Sequence, residues 1–255
     1  MISAIVCSRD AQAFALVERN LRATIGNSDL EVIRIDNSKN QLGICAAYNR
    51  GVFLSHGDIL LFVHEDVFHL ERNWGPKLEQ KYLADESLGM VGVAGTQVLY
   101  ADPPIWTRAG MPWLFGKVVH ELDQGTRYFM TIFSKDSGDR PVVALDGCWL
   151  SVRRKVFDTC QFDASTFPGF HFYDLDICLQ AQEHWKIIAS TDILIKHRSA
   201  GGFREEWKQA ASQFAKKWKT TLPLTIAGVA LPDQLGEDFF NVDLKGKVPQ
   251  NIIGE

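Results

Sequence analysis

Five consecutive apolar residues, Ile59–Val63, run directly into His64, Glu65 and Asp66. An unbroken apolar run of this length is typical of a strand that is buried on both faces. Two adjacent carboxylates repel each other and are costly to desolvate, so we expect them at the strand end, facing solvent or a cation. Ligands of open α/β sheets bind beyond the carboxyl ends of the strands. The run therefore predicts a site for a divalent metal and a phosphate-bearing ligand, with a plain solvated turn as the alternative.

Strand and helix signals alternate along the first hundred residues. Strand-like runs are followed by polar turns, and the segments between them carry apolar residues at helical spacing. This βαβαβαβ order predicts an α/β fold with a mostly parallel, doubly wound, Rossmann-like central sheet flanked by helices. The predicted strands cover Ile2–Cys7, Leu30–Ile35, Ile59–Val63 and Met90–Ala94, and the predicted helices cover Asp10–Ile25, Ile44–Leu54 and Trp74–Asp85.

The alternation breaks between Tyr100 and Pro141, where Pro, Gly, Trp and Phe are frequent and no period is visible. Such a long excursion is typical of functional loops or of a small antiparallel flap. Regular signals then resume. The later predicted strands are 142–152, Lys186–Ala189 and Ile193–His197, the helices are Arg153–Asp158, Asp174–His184 and Glu205–Lys219, and a turn-rich tail begins at Leu231.

The composition argues against several classes of protein. A formal net charge of −4 disfavours a nucleic-acid-binding surface, which normally carries a basic excess. No stretch approaches the ~18 consecutive apolar residues of a membrane span, and no signal-peptide pattern follows Met1. The five scattered cysteines lack C-x-x-C spacing, which predicts reduced thiols in a cytoplasmic protein rather than disulfides or a zinc site. The lysines of the last predicted helix allow at most a peripheral membrane contact.

Polar residues follow each of the first three predicted strands, at 8–10, 36–38 and 64–66. The carboxylate of Asp36 can accept a hydrogen bond from the ring N–H of a nucleobase. Asp66 can supply an oxygen ligand to Mg²⁺ or Mn²⁺, which suit diphosphates. The alternative for residues 36–38 is a plain turn, since Asp, Asn and Ser all favour turns.

Six segments carry a resemblance to family 2 glycosyltransferases with the GT-A fold. They are Ile33–Ser38, Gly43–Gly51, Gly57–Asp66, Leu145–Leu150, Tyr173–Leu179 and Ile195–His197. Each is weak alone, but their shared order and spacing make the resemblance specific, and it is greatest to family-2-like members in which a histidine precedes the aspartate motif. The resemblance implies one GT-A domain over residues 1–220, with a nucleotide-sugar-binding half at 1–99, an acceptor and catalytic half at 100–200, and a C-terminal tail at 221–255.

The resemblance also implies which residues bind the donor and the metal. Residues 64–66 occupy the family's DxD position, where Asp66 matches the metal-binding aspartate and His64 replaces the first aspartate. A histidine after the last core strand can complete the metal shell in this family, which implies that His197 binds Mn²⁺ or Mg²⁺ or contacts the diphosphate. The alternative for His197 is a structural hydrogen bond. The residues implied in donor binding are Ser8, Arg9, Asp36, Asn49, His64 and Glu65.

The acidic pair Asp174 and Asp176 resembles the family's motif for the catalytic base, although Tyr173 stands where a glutamate often precedes it. Residues i and i+2 of a helix do not face the same way, so at most one of the two should point at the acceptor. Asp174 matches the family's usual base, so the resemblance implies that Asp174 is the base and that Asp176 supports it or binds the acceptor. The alternative is that both acids only stabilise a helix N-terminus. Asp146 and Trp149 are expected on the acceptor side, with core packing as the alternative for Trp149.

Together with these features, the resemblance implies an inverting, metal-dependent glycosyltransferase. It would move a sugar from a nucleotide-diphosphate sugar, UDP-linked, to a hydroxyl group of a glycan or a lipid-linked glycan, in polysaccharide biosynthesis. A nucleotidyltransferase is one alternative, but such an enzyme would carry a glycine-rich phosphate loop after the first strand, and Ser8–Ala11 contains no glycine. A non-catalytic nucleotide-sugar or carbohydrate-binding module is the other, and His64 at the DxD position keeps it open.

Overall fold

The computed structural model describes residues 1–122, 127–198 and 203–245. Within these ranges the helices are α1 Ala11–Thr24, α2 Ile44–Leu54, α3 Trp74–Ala84, α4 Tyr173–Ala181 and α5 Glu205–Lys217. The strands are β1 Ile2–Ser8, β2 Leu30–Asp36, β3 Ile59–Val63, β4 Val67–His69, β5 Leu88–Gly92, β6 Ala94–Thr96, β7 Val98–Leu99, β8 Leu114–Leu122, β9 Arg127–Ile132, β10 Asp139–Pro141, β11 Ala144–Leu145, β12 Trp149–Arg153, β13 Lys186–Ser190, β14 Ile195–His197, β15 Leu224–Thr225 and β16 Phe240–Asp243. Short 3₁₀ turns cover Trp106–Ala109 and Arg154–Asp158.

The main sheet has seven strands in the order β10-β13-β5-β12-β3-β1-β2. β1 pairs in parallel with both β2 and β3, and β13 pairs in parallel with β5. β12 lies antiparallel between β3 and β5. The predicted α/β class is confirmed, and the sheet is mixed because the chain leaves β5 and re-enters as β12 at the same end. A strand that re-enters there must run opposite to its neighbours.

The segment between β5 and β12 builds most of a second seven-stranded sheet. Its order is β11-β6-β8-β14-β4, and β8 also pairs with β9 in an antiparallel hairpin. Gly116 in β8 has φ 123°, and a Cβ there would lie 2.1 Å from the carbonyl oxygen of Val93, so only glycine lets β8 cross so close to the main chain. In the tail, β15 pairs with β7 and β16 with β9. Residues 246–255 of the predicted tail lie outside the described residues.

Apolar side chains pack on both faces of the main sheet. On one face α2 and α4 contribute Tyr48 and Ile177, and on the other face α1 and α3 contribute Leu21 and Leu78. All five residues of β3 are buried between these layers, as the apolar run predicted. Burial of each large apolar side chain contributes ~1.5–3 kcal/mol relative to exposure, so these layers supply most of the stabilisation of the sheet.

In the described part of the chain, each helix is too short or too polar to cross a membrane. The five cysteines are free thiols, in agreement with the expectation of reduced cysteines. The cytoplasmic location stays a prediction.

Buried polar contacts fasten α5 to α4. Asp176 is fully buried and accepts hydrogen bonds from Nε1 of Trp218 (2.8 Å) and Nε2 of Gln180 (2.7 Å). It also pairs with Nζ of Lys217 at 2.8 Å. Burial raises the pKa of Asp176, and these partners only partly offset that effect. Both carboxylate oxygens are used inside the protein, and the expected role of Asp176 in supporting the base or binding the acceptor stays a prediction.

Replacement of Asp176 with Ala should lower the free energy of unfolding by about 2–4 kcal/mol, because Lys217 and Trp218 lose a buried acceptor. Urea unfolding followed by tryptophan fluorescence measures this change. Glu205→Ala is the matched control on α5, since the exposed pair of Glu205 with Lys208 spans 3.5 Å. Such a pair is expected to contribute about 0.5 kcal/mol or less. A loss below about 1 kcal/mol for D176A would mean that α5 does not depend on this contact.

Candidate active site at the carboxyl ends of the main sheet

The loops after β1, β2 and β3 meet at the carboxyl edge of the main sheet. Ser8, the last residue of β1, pairs with Asp36, the last residue of β2. Glu65, just beyond β3, accepts hydrogen bonds from the backbone N–H groups of Arg9 (3.0 Å) and Asp10 (3.3 Å). The three polar strand ends therefore lie side by side, where the topology of an α/β sheet places a ligand.

Asp36 faces solvent at the end of β2. Its carboxylate accepts the backbone N–H of Ser38 (3.0 Å) and lies 3.6 Å from the guanidinium of Arg34. The hydrogen bonds from Ser38, aided by Arg34, lower the pKa of Asp36, so this side chain is ionised. Asn37 is buried and bonds through its amide to both the N–H and the C=O of Leu42. These bonds from Asn37 fix the turn after β2. The carboxylate of Asp36 stays exposed to solvent, so it can accept a hydrogen bond from a ligand.

His64, Asp66 and His197 lie together, with ligand atoms all within 4.8 Å of one another, and we call them the His–Asp–His cluster. β14 runs antiparallel to β4, and the pairing of His197 with Val67 brings His197 beside Asp66. Nε2 of His197 lies 3.4 Å from Oδ1 of Asp66, and the ring centroids of His64 and His197 lie 5.5 Å apart. Two imidazoles and a carboxylate form a donor set that fits Mn²⁺ and other first-row divalent ions.

The protonation states of this cluster suit a cation. Burial, followed by the charge of His197, lowers the pKa of His64 to about 4, so its ring is neutral at pH 7 and offers a lone pair. Burial favours a raised pKa for Asp66, but the hydrogen bond and charge of His197 outweigh burial and lower this pKa. Burial likewise favours a lowered pKa for His197, and its contact with Asp66 raises the pKa instead. A cation bound here would replace the proton that His197 shares with Asp66.

Asp174 lies in the first turn of α4. Its Oδ2 accepts the backbone N–H of Gly147 and its Oδ1 accepts that of Leu175, both at 2.9 Å. Burial, followed by the charge of Asp146, raises the pKa of Asp174 to about 7, although the two N–H groups act in the opposite direction. A carboxyl group that titrates near neutral pH can take up and release a proton, as a general base must. Phe172, the residue before α4, has φ 64°, and such strained backbone clusters at functional sites.

Three side chains that the sequence placed in the site are engaged elsewhere. Trp149 is fully buried, so it packs in the core. Asn49 bonds to the backbone N–H and C=O of Phe162 through both groups of its amide. Ser8 is also fully buried, and its hydroxyl donates to the carbonyl of Asp10. These contacts occupy the side chains of Trp149, Asn49 and Ser8 within the protein, and the expected acceptor role of Trp149 and donor roles of Asn49 and Ser8 stay predictions.

Other expected residues do lie at the site. Arg9 is exposed, and its guanidinium carbon lies 4.6 Å from the ring centroid of Phe170. The carboxylate of Glu65 accepts backbone N–H groups of the loop after β1, so this side chain connects the ends of β1 and β3. Asp146 is partly buried and accepts the backbone N–H of Cys148 (2.9 Å), and its charge acts on Asp174.

Sequence reasoning missed the part that Tyr173 and Gly147 play. Oη of Tyr173 lies 2.7 Å from Nε2 of His64, at hydrogen-bond distance. A Cβ at Gly147 would lie 2.4 Å from Oη of Tyr173 and 2.7 Å from Cβ of Asp174, so only glycine lets α4 pack this closely. The pair Asp146-Gly147 was visible as a motif, but nothing in the sequence shows that it faces the start of α4.

One protein-family model matches the chain over residues 3–215, and this family is described as a glycosyltransferase-like family. The match runs from β1 into α5 and includes every candidate site residue described above.

Individual proteins with partial similarity to the chain are also known. A curated relative, "ATP synthase subunits region ORF 6" of Fuscovulum blasticum, is 25% identical over 174 residues, which are 66% of this chain and 62% of the relative. The mannosyltransferase PcManGT from Pyrobaculum calidifontis, solved with GDP-Man and Mn²⁺, is 14% identical with a TM-score of 0.51, over 86% of this chain and 64% of that one. GalNAc-T7, solved with UDP, GalNAc and Mn²⁺, is 10% identical with a TM-score of 0.53, over 78% and 43%. The chain thus spans less than two thirds of each of these proteins, and the structural likenesses show a shared fold.

Proposed function

This chain belongs to the glycosyltransferase-like family and has the GT-A fold, and on that premise we propose that it is an inverting, metal-dependent glycosyltransferase. It moves a sugar from a nucleotide-diphosphate sugar, UDP-linked, to a hydroxyl group of a glycan or a lipid-linked glycan. The observation that carries the proposal is the His–Asp–His cluster at the strand ends, with Asp174 in the adjoining helix turn. Such a site combines ligands for a metal at the leaving group with a base for the acceptor.

The donor binds across the loops that follow β1, β2 and β3. Asp36, ionised and exposed, accepts a hydrogen bond from the nucleobase, and Arg9 supplies a positive charge on the neighbouring loop. Glu65 holds these loops together through the backbone of residues 9 and 10. PcManGT was solved with GDP-Man and GalNAc-T7 with UDP, which supports a nucleotide-linked donor as the class of substrate.

The residues of the His–Asp–His cluster would hold the divalent metal. When bound, such a cation would supply Lewis-acid chemistry at the leaving diphosphate. The two imidazole ligands favour Mn²⁺ over Mg²⁺, because Mg²⁺ prefers oxygen ligands and retains several waters.

Asp174 activates the acceptor. One of its carboxylate oxygens takes the proton of the acceptor hydroxyl while the hydroxyl oxygen attacks the anomeric carbon. The bond from that carbon to the diphosphate oxygen breaks as the new glycosidic bond forms, and attack opposite the leaving group inverts the configuration. The backbone N–H groups of Gly147 and Leu175 keep the carboxylate in place during this step.

We assign the two steps to two parts of one domain. Residues 1–99 carry the donor loops, and residues 100–200 carry β8, β9, β11 and β14 of the second sheet together with Asp174, with residues 1–220 as the whole domain. The aromatic side chains between β7 and β9 are candidates for the acceptor surface, since apolar ring faces pack well on sugars. The tail after residue 220 adds β15 and β16 to the body.

Calorimetry with UDP tests the proposal: the full chain should bind UDP in the presence of Mn²⁺ and much more weakly after chelation. A screen of nucleotide sugars for thermal stabilisation should then identify the donor, because a ligand of the folded state raises the melting temperature. Absence of both Mn²⁺-dependent UDP binding and donor turnover would contradict the transferase. Binding without turnover of any donor would favour the non-catalytic module, and release of pyrophosphate from a nucleoside triphosphate would favour the nucleotidyltransferase.

A further inference from the structure

The two positions at which this chain departs from the family pattern contact each other. His64 stands where the first aspartate of the DxD motif would be, and Tyr173 stands where a glutamate often precedes the base. Although these residues are 109 positions apart in the sequence, Nε2 of His64 and Oη of Tyr173 lie 2.7 Å apart. A direct contact between both replaced positions indicates that the two replacements act together.

We propose that Tyr173 is a positioning residue for the metal: its hydroxyl oxygen accepts a hydrogen bond from Nε2–H of His64, which leaves the lone pair of Nδ1 for the cation. The inference rests on the metal site of the proposed function. A neutral imidazole carries one N–H, so the partner of one ring nitrogen determines what the other nitrogen can do. Histidine ligands are commonly oriented through their second ring nitrogen in this way.

The surroundings hold the Tyr173 side chain in one position. Tyr173 is 4% exposed, and its ring centroid lies 5.6 Å from that of Tyr48 and 6.4 Å from that of Phe162. Gly147, without a Cβ, gives the hydroxyl room to reach His64. Since Tyr173 opens α4 and the next residue is Asp174, the same helix end positions a metal ligand and the base.

Tyr173→Phe removes the hydroxyl and keeps the buried ring. We expect the Kd for Mn²⁺, measured by calorimetry on the full chain without donor, to rise about 10- to 100-fold. In the Co²⁺-loaded chain the visible absorption bands should shift as well, because they report the ligand field. The matched control is Tyr48→Phe: the Tyr48 hydroxyl is buried in the same aromatic group and has no hydrogen-bond partner among the described residues. Y48F should leave both the Mn²⁺ affinity and the Co²⁺ spectrum unchanged.

A second background separates positioning from a general effect on the fold. In a His64→Ala chain, Y173F should cause no further loss of Mn²⁺ affinity, because the residue through which Tyr173 acts is gone. Wild-type Mn²⁺ affinity in Y173F, or an equal loss in the His64→Ala background, would overturn the inference and leave the proposed function standing. A wild-type chain that binds no Mn²⁺ would overturn the metal site and this inference together.

Discussion

Replacement of Asp174 with Asn should lower the rate of sugar transfer by about 10²- to 10⁴-fold, because the variant cannot take the proton of the acceptor hydroxyl. Mn²⁺-dependent UDP binding should remain nearly unchanged, since Asp174 contacts the backbone of Gly147 and Leu175 and does not belong to the His–Asp–His cluster. Initial rates with a donor identified by thermal stabilisation, together with UDP calorimetry, measure both effects. Loss of UDP binding in this variant would move Asp174 out of the role of base.

The pH dependence gives an independent test of the same residue. The pKa of Asp174 is raised to about 7, by burial and then by the charge of Asp146, so the wild-type kcat/KM should rise with pH through about 7 as the base loses its proton. Asp146→Asn removes one of the two causes, and the midpoint of the profile should move to lower pH. The residual rate of D174N should lack this rise. Because a raised carboxyl pKa favours the folded state at low pH, the stability that Asp174 contributes should also fall as pH rises through about 7.

Many strands of the main sheet could be predicted, because their apolar sequence pattern matches the burial of their side chains in the structure. The apolar run Ile59–Val63 became β3 with the same bounds, since a strand buried on both faces has no other place for its side chains. The direction of β12 could not be predicted, because it depends on where the chain re-enters after an excursion of more than fifty residues. Most of that excursion, residues 100–141, has no period, and its strands β8 and β9 form through pairing with each other and with distant partners such as β14 and β16.

The location of the candidate site could be predicted, because it follows from the positions of the strand ends. The direction in which each side chain points could not be predicted. Asp66, His197 and Asp174 follow from polar residues at strand ends and from family motifs. Asp176 looked equivalent to Asp174 in the sequence, but it is turned toward α5, where Lys217 and Trp218 hold it. The direction of a side chain is set by such long-range partners, which a single sequence does not show.

Replacement of Asp66 with Asn should weaken Mn²⁺ binding by about 10²-fold or more and lower transfer by at least as much, because a metal site of two imidazoles loses its only charged ligand. The change keeps the size of the side chain, and the backbone carbonyl of Asp66 can still accept the N–H of Arg198 (3.1 Å). Mn²⁺ should raise the melting temperature of the wild-type chain and leave that of D66N unchanged, since a ligand stabilises only a folded state that binds it.

The control for this variant is Asp58→Asn at the opposite end of β3. Asp58 is also an aspartate beside the strand, but its side chain is 94% exposed and its contact is the N-terminal amine at 4.0 Å. D58N therefore changes the net charge as D66N does without touching the strand ends that bind the donor, and it should keep the Mn²⁺-induced rise in melting temperature. Equal loss of that rise in both variants would mean that the overall charge of the protein, and not the carboxylate of Asp66, governs metal binding. Loss in D66N alone assigns the cation to the carboxyl end of β3, where the apolar run meets His64, Glu65 and Asp66.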